Sequence, residues 1–357
     1  MVSKEFYKNI DLIVEEKGIS REQVLEASRK ALIQAYKKTY GNASVRVEFN
    51  EGKNEILMYS EHVVVEKYSE NLEDGKMAEI LLEDAKKVKP SIKVGDVLVR
   101  SVSPKDFGRT SASSGKQTLN QTIKQDQKDN AYAHYKDLEG EMIVAIVTAV
   151  SEDYITLKID NDIIASLPKK EKLPNDSFVV GDRIKVYLSA VEQTPRGPKL
   201  YVSRNDKNLV TRLMEMNIPE IKEGIIEIRG IARDAGDRSK VAIKSNNDNV
   251  DPIGACIGEK GSRINAIVEA LNGEKIDLYK YSDDPKELIQ NSLQPATVID
   301  VINIDVKNGT SVAIVPDSQL SLAIGKHGQN VRLAVQSCGW KIDIKSESEA
   351  KESGIKF

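Results

Sequence analysis

Cysteine is scarce in this chain, and its scarcity excludes a disulfide-stabilised scaffold. Only Cys256 and Cys338 occur in 357 residues, whereas a disulfide framework takes several paired cysteines. Each thiol falls next to a predicted helix, so both are interpreted as small buried side chains. Because disulfides mark oxidising compartments, we expect a cytoplasmic protein.

Long apolar runs are missing as well. The longest, Met142 to Val147, is far shorter than the ~20 residues that a membrane-spanning helix needs. The stretch from Met1 to Ile19 mixes Lys, Glu and Asp with its apolar residues, unlike a secretory signal. We therefore expect no contact with membranes.

The common signatures of catalytic, metal and cofactor sites are absent. The sequence has no Gly-x-x-x-x-Gly-Lys-Ser/Thr, no Gly-x-Gly-x-x-Gly, no His-Glu-x-x-His and no cysteine pairs at zinc spacing. The three histidines, His62, His134 and His327, lie far apart. We expect no catalytic residue, no metal and no cofactor, and hence a protein that is not an enzyme.

An excess of positive charge is also missing. The chain has 52 basic and 55 acidic residues, a net charge of −3. Residues 204–280 hold 13 of each sign, and residues 281–345 hold 6 basic and 7 acidic ones. Nucleic-acid binding driven by counterion release favours a clear basic excess. If the chain binds RNA, we expect it to grip the RNA backbone at a few defined loops and to contact bases locally. We then expect a modest affinity for isolated RNA.

What the chain does have is an internal repeat between Val241 and Ile344. Three landmarks recur in the same order, at offsets of 71, 67 and 66 residues. Two copies of one small domain are the simplest explanation. The paired landmarks are Val241–Ile243 with Val312–Ile314, Ile257–Ile264 with Ile324–Val331, and Gly273–Leu278 with Gly339–Ile344.

Each copy contains a Gly-x-x-Gly turn between two predicted helices. Glycines three apart let the backbone turn sharply, and the second helix directs its unpaired N–H groups and positive dipole end to this place. Lys260 and Lys326 lie inside the two turns. The pattern is typical of a KH domain, whose GXXG loop clamps about four nucleotides of RNA backbone. One such turn also suits ordinary helix packing, whereas two in matching contexts favour RNA.

The segment before the repeat predicts a β-barrel. Five strands are predicted between Leu138 and Ser203, a spacing that suits a small closed barrel of the OB type. Such barrels bind single strands on faces that carry aromatic side chains. Tyr154, Tyr187 and Tyr201 are the available rings, and each is equally typical of an ordinary strand.

The first 136 residues predict a separate α/β domain. Helices are predicted over residues 1–40, with a capping box at Ser20 and Gln23. Strands and a helix at Glu79–Lys87 follow. A polar stretch that ends near Lys136 predicts a long linking helix with Ser113–Gly115 as its soft point, and a flexible linker is the alternative.

Seven short segments spread over nearly the whole chain match one known family. They are Val102–Arg109, Thr194–Pro198, Pro219–Ile221, Ala232–Asp234, Asp251–Gly258, Leu320–Lys326 and Gly328–Ala334. Matches at so many places are not explained by chance. Through these segments the chain resembles the bacterial NusA family of transcription elongation and termination factors.

The resemblance implies a function in transcription. It implies an N-terminal domain that docks on RNA polymerase near the RNA exit channel, and a ribosomal S1-type barrel with two KH domains that hold single-stranded nascent RNA. The implied activity is regulation of pausing, termination and antitermination together with other transcription factors. We expect a monomer. The alternative is a general RNA-binding or ribosome-maturation protein without polymerase contact.

The resulting fold class is multidomain α+β. It combines an N-terminal α/β domain and its linking helix, an OB barrel of the S1 type and two tandem KH domains of the bacterial type II. The expected boundaries are 1–136, 137–203, 204–280 and 281–346, with a disordered tail at 347–357.

The resemblance also assigns site residues. Arg109, at the start of the linking helix, is assigned to the polymerase side. Two departures from the family, Ala145 in place of glycine and Asn205-Asp206 in place of Thr-His, weaken the inference that the barrel itself binds RNA. The implied RNA-binding residues are Gly258, Glu259, Lys260, Gly261, Arg263, Gly325, Lys326, His327, Gly328, Gln329, Arg332 and Arg204.

Overall fold

Two helices begin the described chain, α1 over Lys4–Lys17 and α2 over Arg21–Tyr40. The computed structural model describes residues 4–41, 44–69, 77–104, 107–160, 163–355 and 357. The chain forms two compact units, residues 1–134 with 194–198 and residues 135–193 with 199–357. The predicted capping box is confirmed. Ser20 Oγ accepts a hydrogen bond from the backbone N–H of Gln23, and Gln23 Oε1 accepts one from the backbone N–H of Ser20.

A four-stranded sheet packs against α2 in the N-terminal unit. Its strands are β1 (Ser44–Asn50), β2 (Glu55–Val65), β3 (Ala78–Leu81) and β4 (Val97–Val102), and α3 (Leu82–Val88) follows β3. β2 pairs antiparallel with β1 and β4 and parallel with β3. Ile56 and Met58, two residues apart on β2, pack with Tyr36 of α2, as the period of a strand requires. The helix predicted at Glu79–Lys87 begins only at Leu82, because the residues before it pair with β2.

The linking helix, α4, runs without interruption over Arg109–Asp137. The helix is therefore confirmed, and the flexible linker is wrong. The soft point at Gly115 is also wrong: a Cβ there would lie 3.0 Å from Ala31 O and 3.3 Å from Ala35 Cβ of α2, so this glycine lets two helices approach closely. The predictions over residues 42–43 and 105–106 lie outside the described residues.

Five strands close a β-barrel, as predicted. They are β5 (Met142–Val150), β6 (Tyr154–Lys158), β7 (Ile164–Pro168), β8 (Arg183–Thr194) and β9 (Gly197–Ser203). They pair in the order β5-β6-β7-β9-β8. Alternate side chains fill the interior, where Leu157, Leu167 and Leu188 are completely buried. Ala145 of β5 is completely buried as well.

The two repeat copies fold as two domains with the predicted order of helix, strand, strand, helix, helix, strand. In each sheet the middle strand pairs antiparallel with the first strand and parallel with the last. The first copy comprises α5 (Lys207–Asn217), a short α6 (Pro219–Lys222), β10 (Ile226–Asp234), β11 (Arg238–Ser245), α7 (Pro252–Ile257), α8 (Ser262–Ala270) and β12 (Lys275–Lys280). The second comprises α9 (Pro285–Ser292), β13 (Asp300–Asp305), β14 (Thr310–Val315), α10 (Leu320–Ile324), α11 (Gln329–Cys338) and β15 (Lys341–Ser346).

The end of the chain corrects the prediction of a disordered tail. Glu347–Glu352 forms a helix, α12, that starts with a capping box between Ser346 and Glu349. Ala350 is completely buried, so the helix has a packed face as well as a cap. None of the described helices combines the length and the hydropathy that crossing a bilayer requires.

Candidate RNA interface

The two Gly-x-x-Gly loops have the same backbone conformation. The first glycines, Gly258 and Gly325, have φ of +73° and +77°, and the third residues, Lys260 and His327, both have +52°. The closing glycine of each loop is left-handed too. A residue other than glycine with positive φ is uncommon. Its recurrence at matching positions means that the loop shape itself is repeated.

Both loops are exposed at their centres and tightly packed behind. The side chains of Lys260 and His327 face solvent. A Cβ at Gly325 would lie 2.7 Å from the backbone nitrogen of Asn330, whereas one at Gly328 would meet nothing within 4 Å. Glycine is therefore required at position 325, because a side chain there would collide with the backbone of Asn330. Gly328 instead leaves an open surface that the backbone of another molecule can approach.

Each loop leads into the N-terminus of a helix, α8 in the first domain and α11 in the second. The unpaired N–H groups and the helix dipole create positive potential there, which favours phosphate oxygens. The side chains differ between the loops. Glu259 and Lys260 cancel in formal charge, whereas Lys326 adds a positive charge beside His327. By charge, the second loop is the stronger anion site.

An exposed aliphatic residue stands immediately before each loop. Ile257 is 39% exposed and Ile324 is 38% exposed, although both belong to helices that pack on the domain core. One exposed aliphatic side chain is ordinary on a protein surface, but its recurrence at the same position beside both loops favours a shared contact surface. The sequence interpretation missed these two residues, and their matching positions in the repeat were the signal that could have found them.

The half-buried side chain of Arg263 packs behind the first loop. Its Nη1 donates to Glu220 Oε2 at 2.8 Å and to Ala255 O at 2.7 Å. A Cβ at Gly258 would lie 2.7 Å from Arg263 Cγ, so the arginine stem fills the space behind that glycine. The RNA contact implied for Arg263 stays a prediction.

Gln329 and Arg332 contact the first KH domain. Gln329 Nε2 donates to Asp237 Oδ2 at 2.6 Å and to Asp234 Oδ2 at 3.0 Å, and Arg332 Nη2 pairs with Asp234. These bonds belong to the seam between the two KH domains, where α11 packs on β10. The RNA contacts implied for both residues stay predictions, and they would compete with these bonds.

The structure contradicts an RNA contact for Arg204. Its side chain is 2% exposed and forms a bidentate pair with Asp176, with Nε to Oδ2 at 2.7 Å and Nη2 to Oδ1 at 2.9 Å. Nη1 donates to Lys185 O at 2.8 Å, and Nη2 also donates to Ala270 O at 3.2 Å. Arg204 therefore joins the barrel to the first KH domain, and burial removes it from the surface.

A second buried ion pair was missed at the sequence level. Arg233 Nη2 lies 2.8 Å from Glu274 Oε2, and both side chains are nearly inaccessible. The carboxylate also accepts bonds from Ser239 Oγ at 2.6 Å and from the Gly236 amide at 2.8 Å. Arg233 lies within one of the seven segments that match the family, but the second repeat copy has Trp340 where the first has Glu274, so the repeat gave no signal.

The barrel tyrosines divide into two kinds. Tyr154 and Tyr201 are exposed, and Tyr201 Oη donates to Glu192 Oε2 at 2.7 Å. Tyr187 is half-buried, and its hydroxyl accepts a bond from Asn208 Nδ2 at 3.2 Å. Only the first two rings are thus open to a base.

The remaining predictions concern the polymerase side and metals. Arg109 is the first residue of α4 and is exposed, and its contact with polymerase stays a prediction. Across the residues that the structure describes, no group of three or more His, Cys, Asp or Glu side chains could hold a metal ion.

Three family models match the chain. The model described as the NusA N-terminal domain matches residues 5–129. Those described as the NusA-like first and second KH domains match residues 204–281 and 285–352. The two KH matches contain the two loops described above, and the N-terminal match covers α1, α2 and the four-stranded sheet.

Relatives align over nearly the whole chain. The transcription termination/antitermination protein NusA of Bacillus subtilis is 44% identical over 356 residues, which cover 99% of this chain and 94% of the relative. That of Halalkalibacterium halodurans is 42% identical over 99% of this chain and 91% of the relative. That of Thermus thermophilus is 39% identical over 96% and 89%, respectively. The chain belongs to the NusA family of transcription termination/antitermination proteins.

Proposed function

We propose that this chain is a transcription elongation factor that binds RNA polymerase through its N-terminal unit and nascent single-stranded RNA through its two KH domains. In this function it modulates pausing, termination and antitermination together with other transcription factors, in the cytoplasm and without enzymatic activity. Family membership favours this function over that of a general RNA-binding or ribosome-maturation protein.

The observation that supports RNA binding most strongly is the pair of exposed loops at Gly258–Gly261 and Gly325–Gly328. Each combines left-handed backbone, an exposed central residue and a helix N-terminus, and Gly328 of the second loop adds an uncovered glycine surface. Those features suit a sugar-phosphate backbone, which is anionic and needs close approach. They also explain how a chain of net charge −3 binds RNA, because the positive potential is local rather than spread over the surface.

The barrel adds a smaller contribution to this proposal. Exposed Tyr154 and Tyr201 are available for stacking, which is worth about 1–3 kcal/mol per base. The ring of Tyr201 already has Lys199 Nζ 4.7 Å from its centroid, a cation that also suits a passing phosphate. We propose that the barrel extends the RNA path without anchoring it.

The test of this function uses the full chain with core RNA polymerase and one pausing template. We expect the chain to bind the core enzyme in a pull-down and to change the lifetime of the pause. Binding of single-stranded RNA without binding of core polymerase would contradict the proposal and favour the general RNA-binding alternative.

A further inference from the structure

A polar gap interrupts the buried face of the four-stranded sheet in the N-terminal unit. On β2, Met58 belongs to the apolar cluster formed with α2, whereas Val64 belongs to a separate apolar cluster. Ser60 and His62 are the two residues between them on the same face. Apolar side chains at these two positions would have joined the clusters into one core, so packing does not explain the polar pair.

Strand β4 adds an arginine to this gap. Arg100 lies directly opposite Ser60 in the antiparallel ladder and diagonally opposite His62, whose own partner is Leu98. Leu98 is 3% exposed and Val99 is 47% exposed, so Arg100 shares the buried face with Leu98. Side chains that are opposite or diagonal on one face of a sheet lie within about 8 Å of each other at Cβ. The hydroxyl, the imidazole and the guanidinium can therefore reach one common point.

The polar groups of this gap lack partners within the residues that the structure describes. His62 Nδ1 and Arg100 Nε are both buried without a hydrogen-bond partner, and the guanidinium forms no ion pair there. Ser60 is 2% exposed, and its hydroxyl adds a donor. Burial and, next, the positive charge of Arg100 lower the pKa of His62, so that charge acts on the imidazole. Buried donors without partners are costly and rare in native proteins.

The opposite face of the same sheet treats its arginine differently. Arg46 of β1 pairs with Glu48 at 2.9 Å and with Glu61 at 3.1 Å. Its charge is therefore compensated by two carboxylates although it lies on the exposed face, where water already solvates it. Arg100 is half-buried and has no such compensation. A more buried arginine with fewer partners is the arrangement expected where an anion from outside supplies the missing charge.

We propose that Ser60, His62 and Arg100 form a binding site for the terminal phosphate group of a phosphate monoester. The guanidinium fork alone satisfies the two coplanar oxygens of a carboxylate, whereas a phosphate has further oxygens for the hydroxyl and the imidazole. Because two of the donor atoms are buried, the anion must enter end-on, which a phosphodiester inside a strand cannot do. Inorganic phosphate, a small phosphorylated compound and the 5′-phosphate of an RNA share this chemistry.

The experiment measures phosphate binding by the full chain in two ways. Inorganic phosphate is titrated into the protein by isothermal titration calorimetry in a phosphate-free buffer. Two 12-nucleotide single-stranded RNAs of one sequence, with a 5′-phosphate or a 5′-hydroxyl, are compared by fluorescence anisotropy.

Two variants and a control locate the binding. Arg100→Gln removes the charge and the fork, and His62→Gln removes the imidazole but keeps the arginine, so the test stands if one variant fails to fold. Arg46→Gln is the matched control, since it removes an arginine from the other face of the same sheet. Circular dichroism establishes that each protein is folded.

We expect wild type to bind inorganic phosphate, to prefer the 5′-phosphorylated RNA, or both. Phosphate binding alone identifies a small phosphorylated ligand, and preference for the phosphorylated strand identifies an RNA end. Arg100→Gln should weaken the observed binding by about ten- to hundredfold, His62→Gln should weaken it by less, and Arg46→Gln should match wild type. Wild type without either property, or with a property that both variants keep, overturns the inference. The proposed function would stand, because the two Gly-x-x-Gly loops lie in the other compact unit.

Discussion

Arg204 and Asp176 form a buried ion pair, in which each charge is compensated by the other. Arg204→Ala leaves the Asp176 carboxylate buried without its cation, a loss that costs about 3–5 kcal/mol. The free energy of unfolding in urea measures it. Lys351→Ala serves as the control, because its pair with Glu347 is 64% and 38% exposed and such pairs contribute less than about 1 kcal/mol. Equal stability of the two variants would contradict the buried-pair interpretation.

Cys256 makes the free energy of unfolding depend on pH in the alkaline range. Burial raises the pKa of its thiol to about 12, from an ordinary value of 9.0. The unfolded thiol ionises first, so its contribution to stability is complete below pH 9 and is lost as pH rises toward 12, by about 1.4 kcal/mol per pH unit. We expect the free energy of unfolding to fall more steeply between pH 9 and 10.5 in wild type than in Cys256→Ala. Parallel curves would rule this out.

Gly328 tests whether the open side of a loop is where RNA approaches. Gly328→Ala meets no neighbour and costs only the left-handed strain, about 1–2 kcal/mol, but its methyl group covers the surface proposed for RNA. Gly339→Ala is matched, since Gly339 has φ of +79° and also nothing within 4 Å of an added Cβ. We expect similar losses of stability and a loss of RNA affinity only in Gly328→Ala. Equal RNA affinity in both would contradict the proposed approach.

At the scale of elements, local sequence patterns predicted the helices and strands well. They did not predict contacts between residues that are far apart in the sequence. The barrel strands, α4 and both KH domains followed from alternation, helical spacing and glycine positions, which are local properties. Arg204 was misassigned because its partner, Asp176, lies 28 residues away and only folding brings them together. The hydrogen bond from Gln329 to Asp237 likewise joins residues that are 92 positions apart in the sequence. Gly115 was misinterpreted because the helix that it touches is remote in sequence.

The contact of α11 with β10 is the element-scale feature most open to a test. A Cβ at Gly230 would lie 2.0 Å from Ser337 O, and Tyr279 Oη donates to Ser337 Oγ at 2.9 Å in the same seam. Gly230→Ala should therefore push α11 off β10 and lower the free energy of unfolding by about 1–3 kcal/mol. We expect the two KH domains to unfold less cooperatively in a thermal scan. Wild-type stability with a single sharp transition would show that the seam tolerates the methyl group.

At the scale of the whole molecule, RNA binding and polymerase binding are proposed for different units. The loops at Gly258–Gly261 and Gly325–Gly328 lie in one compact unit, and the segment matched by the NusA N-terminal domain model lies in the other. The two activities should therefore respond separately to substitution. The near balance of charge in the KH domains also means that RNA affinity should depend on a few placed groups.

The most direct measurement compares both affinities after the two loops are made acidic. The variant carries Glu259→Asp, Lys260→Asp, Lys326→Asp and His327→Asp, all at exposed positions. Its control carries Lys222→Asp and Lys307→Asp, which add negative charge at exposed positions outside both loops.

We expect the loop variant to lose single-stranded RNA binding in fluorescence anisotropy and to retain core polymerase binding in a pull-down. The control should keep both, because repulsion of phosphate is strongest at contact distance. RNA affinity equal to that of the control would contradict the assignment of the two Gly-x-x-Gly loops as the RNA clamps.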